Sequence, residues 1–304
     1  MRKLRIGTRG SRLALAQTHI VLDLLSQETP GLGAQIQVVK TTGDRLPPEK
    51  RGETDGKGAF TDEIESLLIR GRIDLAVHSM KDLSVEVGSG LVIAATPVRG
   101  DPRDALVTSG GQGLADLRKG AILGTSSMRR RAQLLNMRND LRLVDLHGNV
   151  ETRISKMHRL GLDGVVLAAA GLDRLSLGDV ITRRFSTDEV VPAAGQGTLA
   201  VEIREGDEEL AKIVSRINDD RTMRASRCER AFARATGGDC YVPVGAYAAD
   251  DGRSLTLTGM IASPDGEHLL KRTMTATDAE GLGETLALEM LQDGGAGILV
   301  RAGT

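Results

Sequence analysis

Residues 121–169 read AILGTSSMRRRAQLLNMRNDLRLVDLHGNVETRISKMHRLGLDGVVLAA. Three short apolar runs, Ala121 to Leu123, Leu141 to Asp145 and Gly164 to Ala169, are separated by two segments with helical spacing, Ser126 to Met137 and Asn149 to Leu160. Strands that alternate with helices form a parallel sheet covered on both faces, because each helix returns the chain to start the next strand in the same direction. In such sheets ligands lie outside the carboxyl ends of the strands. Chemistry is therefore expected in the residues just after each apolar run.

The same alternation continues on both sides. Upstream, Leu4 to Gly7, Ile36 to Lys40, Ile73 to Val77 and Leu91 to Ala95 read as strands, with helices after Ser11 and after Thr61. The stretch 41–58, rich in Pro, Gly and charge, reads as a long mobile loop. Composition shifts at Pro97 to Arg103 and again from Pro192 to Gly197, marking two crossings between α/β units. After the second, Thr198 to Ile203 reads as a strand returning to the first unit, and Glu208 to Asn218 as a helix. From Arg221 the character changes: a helix to Ala235, alternating strands at Ser254 to Met260 and Leu269 to Ala276, and a helix from Asp278 to Leu291. The expectation is two α/β lobes around a cleft plus a small C-terminal α+β domain. The domains are 1–98 with 196–218, 103–192, and 220–304.

Four strand ends carry unusual residues. Thr8, Arg9 and Ser11 follow the first strand, and His78, Ser79, Met80, Lys81 and Asp82 follow the third. Gly124-Thr125-Ser126-Ser127 opens a helix and is followed at once by Arg129, Arg130 and Arg131. Unpaired N–H groups at a helix start, hydroxyls and guanidiniums together suit a carboxylate or phosphate. His147-Gly148-Asn149 and Arg153 stand at the fourth end. Asp82, a carboxylate among cations, suits stabilisation of a developing positive charge or proton transfer.

Composition excludes several classes. Lys+Arg 40 against Asp+Glu 41 and 2% aromatics argue against a nucleic-acid binder, which needs a basic face and stacking rings. Two cysteines build no disulfide framework. No apolar run approaches the roughly 18 residues of a membrane span, and basic residues interrupt the start, so no signal-peptide core is present. Metal-ligand spacing, nucleotide fingerprints and a Gly-x-Ser-x-Gly motif are absent. A metal-free cytoplasmic protein, working as a monomer, is expected.

Taken together, Ile6-Gly7-Thr8-Arg9-Gly10-Ser11-Arg12-Leu13, Gly56-Lys57-Gly58-Ala59-Phe60, Ala76-Val77-His78-Ser79-Met80-Lys81-Asp82, Asp101-Pro102-Arg103-Asp104-Ala105, Gly124-Thr125-Ser126-Ser127-Met128-Arg129-Arg130, Gly148-Asn149-Val150, Pro192-Ala193-Ala194-Gly195-Gln196-Gly197 and the loop around Cys240 resemble the porphobilinogen deaminase family over nearly the whole chain. The resemblance implies a transferase of tetrapyrrole and heme biosynthesis. Such an enzyme joins four porphobilinogen molecules head to tail into hydroxymethylbilane, releases ammonia each time, and uses a dipyrromethane primer held by a thioether. It implies that Cys240 carries the primer and that Asp82 is catalytic. It assigns Ser79, Lys81, Thr125, Ser127, Arg129, Arg130, His147 and Arg153 to the cofactor, and Arg9, Ser11, Arg174 and Gln196 to the substrate. Two positions depart from the family pattern. His147 stands where an arginine is usual, and Asp239 where a glycine commonly precedes the cysteine. The rival reading is a two-lobed solute-binding protein that holds an anion without chemistry.

Overall fold

The computed structural model describes residues 3–45, 61–237 and 242–302. The first strand, β1 (Leu4–Arg9), ends in a turn closed by Ser11, whose hydroxyl accepts the Ala14 N–H and caps α1 (Arg12–Glu28). The cap satisfies a backbone donor that the helix itself leaves unpaired. After β2 (Ala34–Val39) comes a single turn, α2 (Thr42–Arg45), where the sequence suggested loop; residues 46–58 of that loop lie outside the described residues. Next is α3 (Asp62–Ile69), with three acids in its first turn, where the helix dipole favours them, and with Ile64 and Leu68 buried. β3 (Leu75–Ser79) begins two residues later than its apolar run, because Asp74 is bound by the Arg5 N–H and guanidinium just outside the pairing Ile6↔Leu75. β4 (Leu91–Ala95) is as expected.

Beyond the first crossing the order is β5 (Asp104–Thr108), β6 (Ile122–Gly124), α4 (Met128–Met137), β7 (Arg142–Val144), α5 (Val150–Arg159), β8 (Gly164–Ala168), α6 (Ala169–Arg174) and a two-residue β9 (Arg183–Arg184). Beyond the second come β10 (Leu199–Arg204), α7 (Glu208–Val214), α8 (Asp220–Ala235), β11 (Val244–Asp250), β12 (Leu255–Ala262), β13 (Leu269–Ala276), α9 (Ala279–Met290) and α10 (Ala296–Ala302).

Contacts divide the chain into two units, 1–100 with 198–223, and 101–197 with 224–304. The first holds the sheet β2-β1-β3-β10-β4, in which β1 is parallel to β2 and β3, while β10 is antiparallel to β3 and β4. The second holds β7-β6-β8-β5-β9 on the same plan, with β5 reversed against β8 and β9. Neither sheet is wholly parallel, contrary to expectation. In each, the reversed strand is the one that follows a crossing. It is not delivered by a strand–helix–strand repeat, so nothing obliges it to run with its neighbours. The inner strands, parallel and reversed alike, are buried on both faces, with Leu75 to Val77, Ala105 to Val107 and Val165 to Leu167 all inside.

The second unit also contains the antiparallel sheet β11-β12-β13. One of its faces packs Leu257 and Ile261 with Phe232, Leu286 and Met290 of α8 and α9. The exposed face pairs Thr256 with Thr275 and Thr258 with Thr273. This is the small α+β region read from the alternating pattern, with β11 and α10 in addition. The fold class is thus α/β with two sheet-containing lobes and an added α+β region.

Candidate active site

In the first unit β1 and β3 lie side by side and end together, so their final residues share one edge of the sheet. Arg9 closes β1 and Ser11 caps α1; both are half-buried. Ser79 closes β3 and exchanges hydrogen bonds with the Gln17 amide of α1, at 2.8 Å and 3.2 Å. The chain then turns through one 3₁₀ turn, Met80–Asp82, anchored by the Met80 N–H on the Thr198 carbonyl at 3.0 Å. Met80 is buried, Lys81 is half-buried and Asp82 is exposed. Arg9, Ser11, Gln17, His78, Ser79 and Asp82 line one concavity of about 60 Å³. The concavity thus carries a carboxylate from a 3₁₀ turn, a guanidinium and the capping hydroxyl of α1.

In the second unit β6 ends at Gly124, where a Cβ would meet the Leu146 side chain at 2.6 Å and force it to shift. Thr125 is buried and donates its N–H to Val144. The Ser126 hydroxyl accepts the Leu146 N–H at 3.0 Å, and the Ser127 hydroxyl caps α4. The two arginines that follow do not point away from the protein. Arg129 bonds the Asp104 carboxylate at 2.8 Å and the Val191 carbonyl at 2.6 Å. Arg130 bonds the other Asp104 oxygen at 2.8 Å, the Val166 carbonyl at 3.1 Å and the Gln196 side chain at 3.5 Å. Gln196 is fully buried and donates to Pro102 and Asp104. Arg129, Arg130 and Gln196 thus converge on one carboxylate at the start of β5.

Burial alone would raise the Asp104 carboxyl, but the two guanidinium charges and their hydrogen bonds overcome it and hold the group far below the ordinary carboxylate range. Burial lowers Arg129, and Asp104 offsets part of that. One carboxylate against two guanidiniums leaves a net charge of +1 under the N-terminus of α4. A charge in this low-dielectric setting acts more strongly than on the surface.

His147 is half-buried in the turn after β7, and its carbonyl accepts from Lys156 at 3.0 Å. Gly148 holds φ +127°, and a Cβ there would meet Thr152 at 2.8 Å. Its carbonyl accepts the Arg153 Nε–H at 2.7 Å, which sets the arginine over the turn. Arg174, at the end of α6, donates to the Gly197 carbonyl at 2.5 Å, and burial lowers it to about 10. Cys240, Asp239 and the Gly56 to Phe60 motif lie outside the described residues.

Residues 4–212 match the family model described as porphobilinogen deaminase, dipyromethane cofactor binding domain, and residues 223–292 match the porphobilinogen deaminase C-terminal domain. The chain belongs to the porphobilinogen deaminase family. A relative named porphobilinogen deaminase from Syntrophomonas wolfei is 47% identical over 301 residues, covering 98% of each chain. Another from Bacillus subtilis is 41% identical over 303 residues, covering 99% of this chain and 96% of its own. Among solved structures, a YaeC-family lipoprotein from Enterococcus faecalis has a TM-score of 0.43 at 14% identity, covering 73% of this chain and 93% of its own. The solute-binding alternative is not favoured by the family matches. No helix among the described residues is long and apolar enough to cross a membrane.

Sequence reasoning gave no role to Asp104, although the motif that contains it was noticed. The only local signal is an acid placed directly before the apolar run Ala105 to Val107, a position where a buried carboxylate is costly unless a cation pairs with it. Glu202, which meets His78 across the first sheet, was passed over for the same reason.

Proposed function

We propose that Asp82 is the catalytic carboxylate of this porphobilinogen deaminase, and that the polar residues at the strand ends hold the carboxylates of substrate and primer. The enzyme, a hydroxymethylbilane synthase, polymerises porphobilinogen head to tail and releases ammonia at each joining. Loss of ammonia puts positive charge on a methylene-pyrrole. An ionised side chain held on a fixed turn stabilises that charge without having to reorganise, and it can accept a pyrrole N–H. The observation that carries this reading is the exposed position of Asp82 at the rim of the concavity lined by Arg9 and Ser11.

Each pyrrole brings an acetate and a propionate. Arg9 and Ser11 meet those of the substrate. Ser79, Lys81, Thr125, Ser127, His147 and Arg153 meet those of the dipyrromethane. Arg129 and Arg130 contribute through the net positive charge they leave beneath the α4 N-terminus. Gln196 and Arg174 bear on the substrate from the Gly195 to Gly197 segment.

The donor set fits an anionic cofactor, and when bound the dipyrromethane supplies an anchored pyrrole end for extension. The chain has two cysteines. Cys228 is fully buried, and burial pushes its thiol up to about 12, so it is closed to such a bond. Cys240 is the attachment residue in this reading. The working unit is a cytoplasmic monomer with domains 1–98 with 196–218, 103–192 and 220–304.

Intact mass tests the cofactor. The folded chain should exceed its sequence mass by two linked pyrrole units, with the excess lost in Cys240→Ser and kept in Cys228→Ser. Asp82→Asn should fold and keep the primer but lose about 10²–10³ in kcat. Near-parent turnover in Asp82→Asn would remove Asp82 from the chemistry.

A further inference from the structure

Behind the concavity that Asp82 borders, two buried titratable side chains face each other. His78 on β3 and Glu202 on β10 meet at 3.2 Å, Nε2 to Oε2, with side-chain exposures of 5% and 1%. The strands are antiparallel there, with His78 opposite Ala200 and Glu202 opposite Ala76, so the contact is a diagonal pair on one face of the sheet. Glu65 of α3 faces both groups from above. Burial and the Glu202 charge raise its carboxyl, against the pull of the Thr61 hydroxyl and of His78. Two apolar clusters lie along the same strands, one with Ile64, Leu68 and Ala76 and the other with Met80, Leu83 and Ala200.

A buried histidine–carboxylate contact, with a second carboxylate nearby, is an expensive arrangement for a site that only needs to be filled. Its location is informative. His78 lines the same concavity as Asp82, and it is the residue directly before Ser79 and the Met80–Asp82 turn. Beyond the Met80 N–H bond to Thr198, the exit of β3 is held by the Ser79–Gln17 bonds on one face and the His78–Glu202 contact on the other.

We propose that Glu202 and His78 are positioning residues for the catalytic turn: Glu202 fixes the imidazole, and the fixed imidazole holds the end of β3 and the inner wall beside Asp82 in the geometry that the reaction needs. This rests on the reading of Asp82 as the catalytic carboxylate. Neither residue exchanges a proton with substrate in this role; each acts through the placement of Asp82.

The test uses the full-length, primer-loaded enzyme, with kcat normalised to the primer-bearing fraction measured by intact mass. Four variants are compared with the parent: Glu202→Gln, Glu202→Ala, His78→Gln and Asp82→Asn. Displacing a reacting group by about 1 Å costs up to 10² in rate. Glu202→Ala should therefore lower kcat at least tenfold with KM within twofold of the parent. Glu202→Gln, which keeps a hydrogen-bonding oxygen, should recover much of that loss, and His78→Gln should fall between them. A merely structural role would lower the melting temperature and the folded yield while leaving kcat per loaded enzyme unchanged. That result in Glu202→Ala and His78→Gln, with Asp82→Asn inactive, overturns the inference alone. An active Asp82→Asn overturns the reading beneath it. If Glu202→Ala does not fold, His78→Gln decides the matter by the same criterion.

Discussion

Asp104→Asn should unfold the second unit early, and the contacts set the size of the effect. Asp104 has no exposed surface and receives Arg129 on one oxygen, and Arg130 and Gln196 on the other. An asparagine keeps one acceptor oxygen but turns an NH₂ toward a guanidinium, donor against donor. It also changes the buried charge from a net +1 to a net +2. Breaking a buried pair by removing one partner costs about 3–5 kcal/mol, because the remaining charge stays inside without compensation. At about 2–4 °C per kcal/mol for a body of this size, the corresponding transition should fall by roughly 6–20 °C. The chain has no Trp, so calorimetry and far-UV circular dichroism are the suitable probes. The pH dependence supplies a second test. Asp104 is depressed in the folded state, so its contribution is present in full above the ordinary carboxylate range near 3.9 and is lost as pH falls through the lower folded value. The gap between parent and Asp104→Asn should therefore be widest near neutral pH and narrow in acid. A difference below about 1 kcal/mol at pH 7, the size of an ordinary hydrogen bond, would refute the charge argument.

Two further predictions concern individual side chains. Cys228 is raised to about 12 by burial, with Glu229 and Asp278 adding to it, so the stability it contributes is present below its unfolded value near 8.5 and lost as pH rises toward 12. Iodoacetamide at pH 8 should leave Cys228 unlabelled in the native protein and label it after denaturation; native labelling would contradict its burial. His147→Arg replaces a group charged only when protonated with one charged throughout the working range and able to grip a carboxylate by two N–H groups. It should raise turnover or the primer-bearing fraction seen by intact mass and flatten the fall of activity with rising pH, and superimposable pH–rate profiles of the two proteins would mean that His147 has no cationic role.

The order of elements was legible because it depends on local periodicity. The runs around Leu4, Leu91, Leu123 and Val165 are dense in large apolar residues, and each became a strand. β11 was missed because Val244-Gly245-Ala246-Tyr247-Ala248-Ala249 is built from small residues with little contrast between its two faces. β9 was missed because two residues carry no period at all. The reversed strands β5 and β10 look like their neighbours in sequence, since a strand buried on both faces reads the same in either direction.

The site divides along the same line. Capping serines, the Gly124 turn and the cations at strand ends are local features, fixed by the residues beside them, and each occupies the place its spacing implied. The direction in which a cation points is not local. Arg129 and Arg130 have the composition of a ligand clamp, yet their forks close on a carboxylate 25 and 26 positions earlier in the chain. Glu202 reaches His78 across 124 positions. In both cases a strand that follows a crossing carries the acid: β5 brings Asp104 and β10 brings Glu202. These reversed strands are the elements whose placement periodicity could not supply. The crossings therefore do more than join the two α/β units. Each inserts one buried carboxylate into a sheet, Asp104 against Arg129 and Arg130 and Glu202 against His78, beside the strand ends.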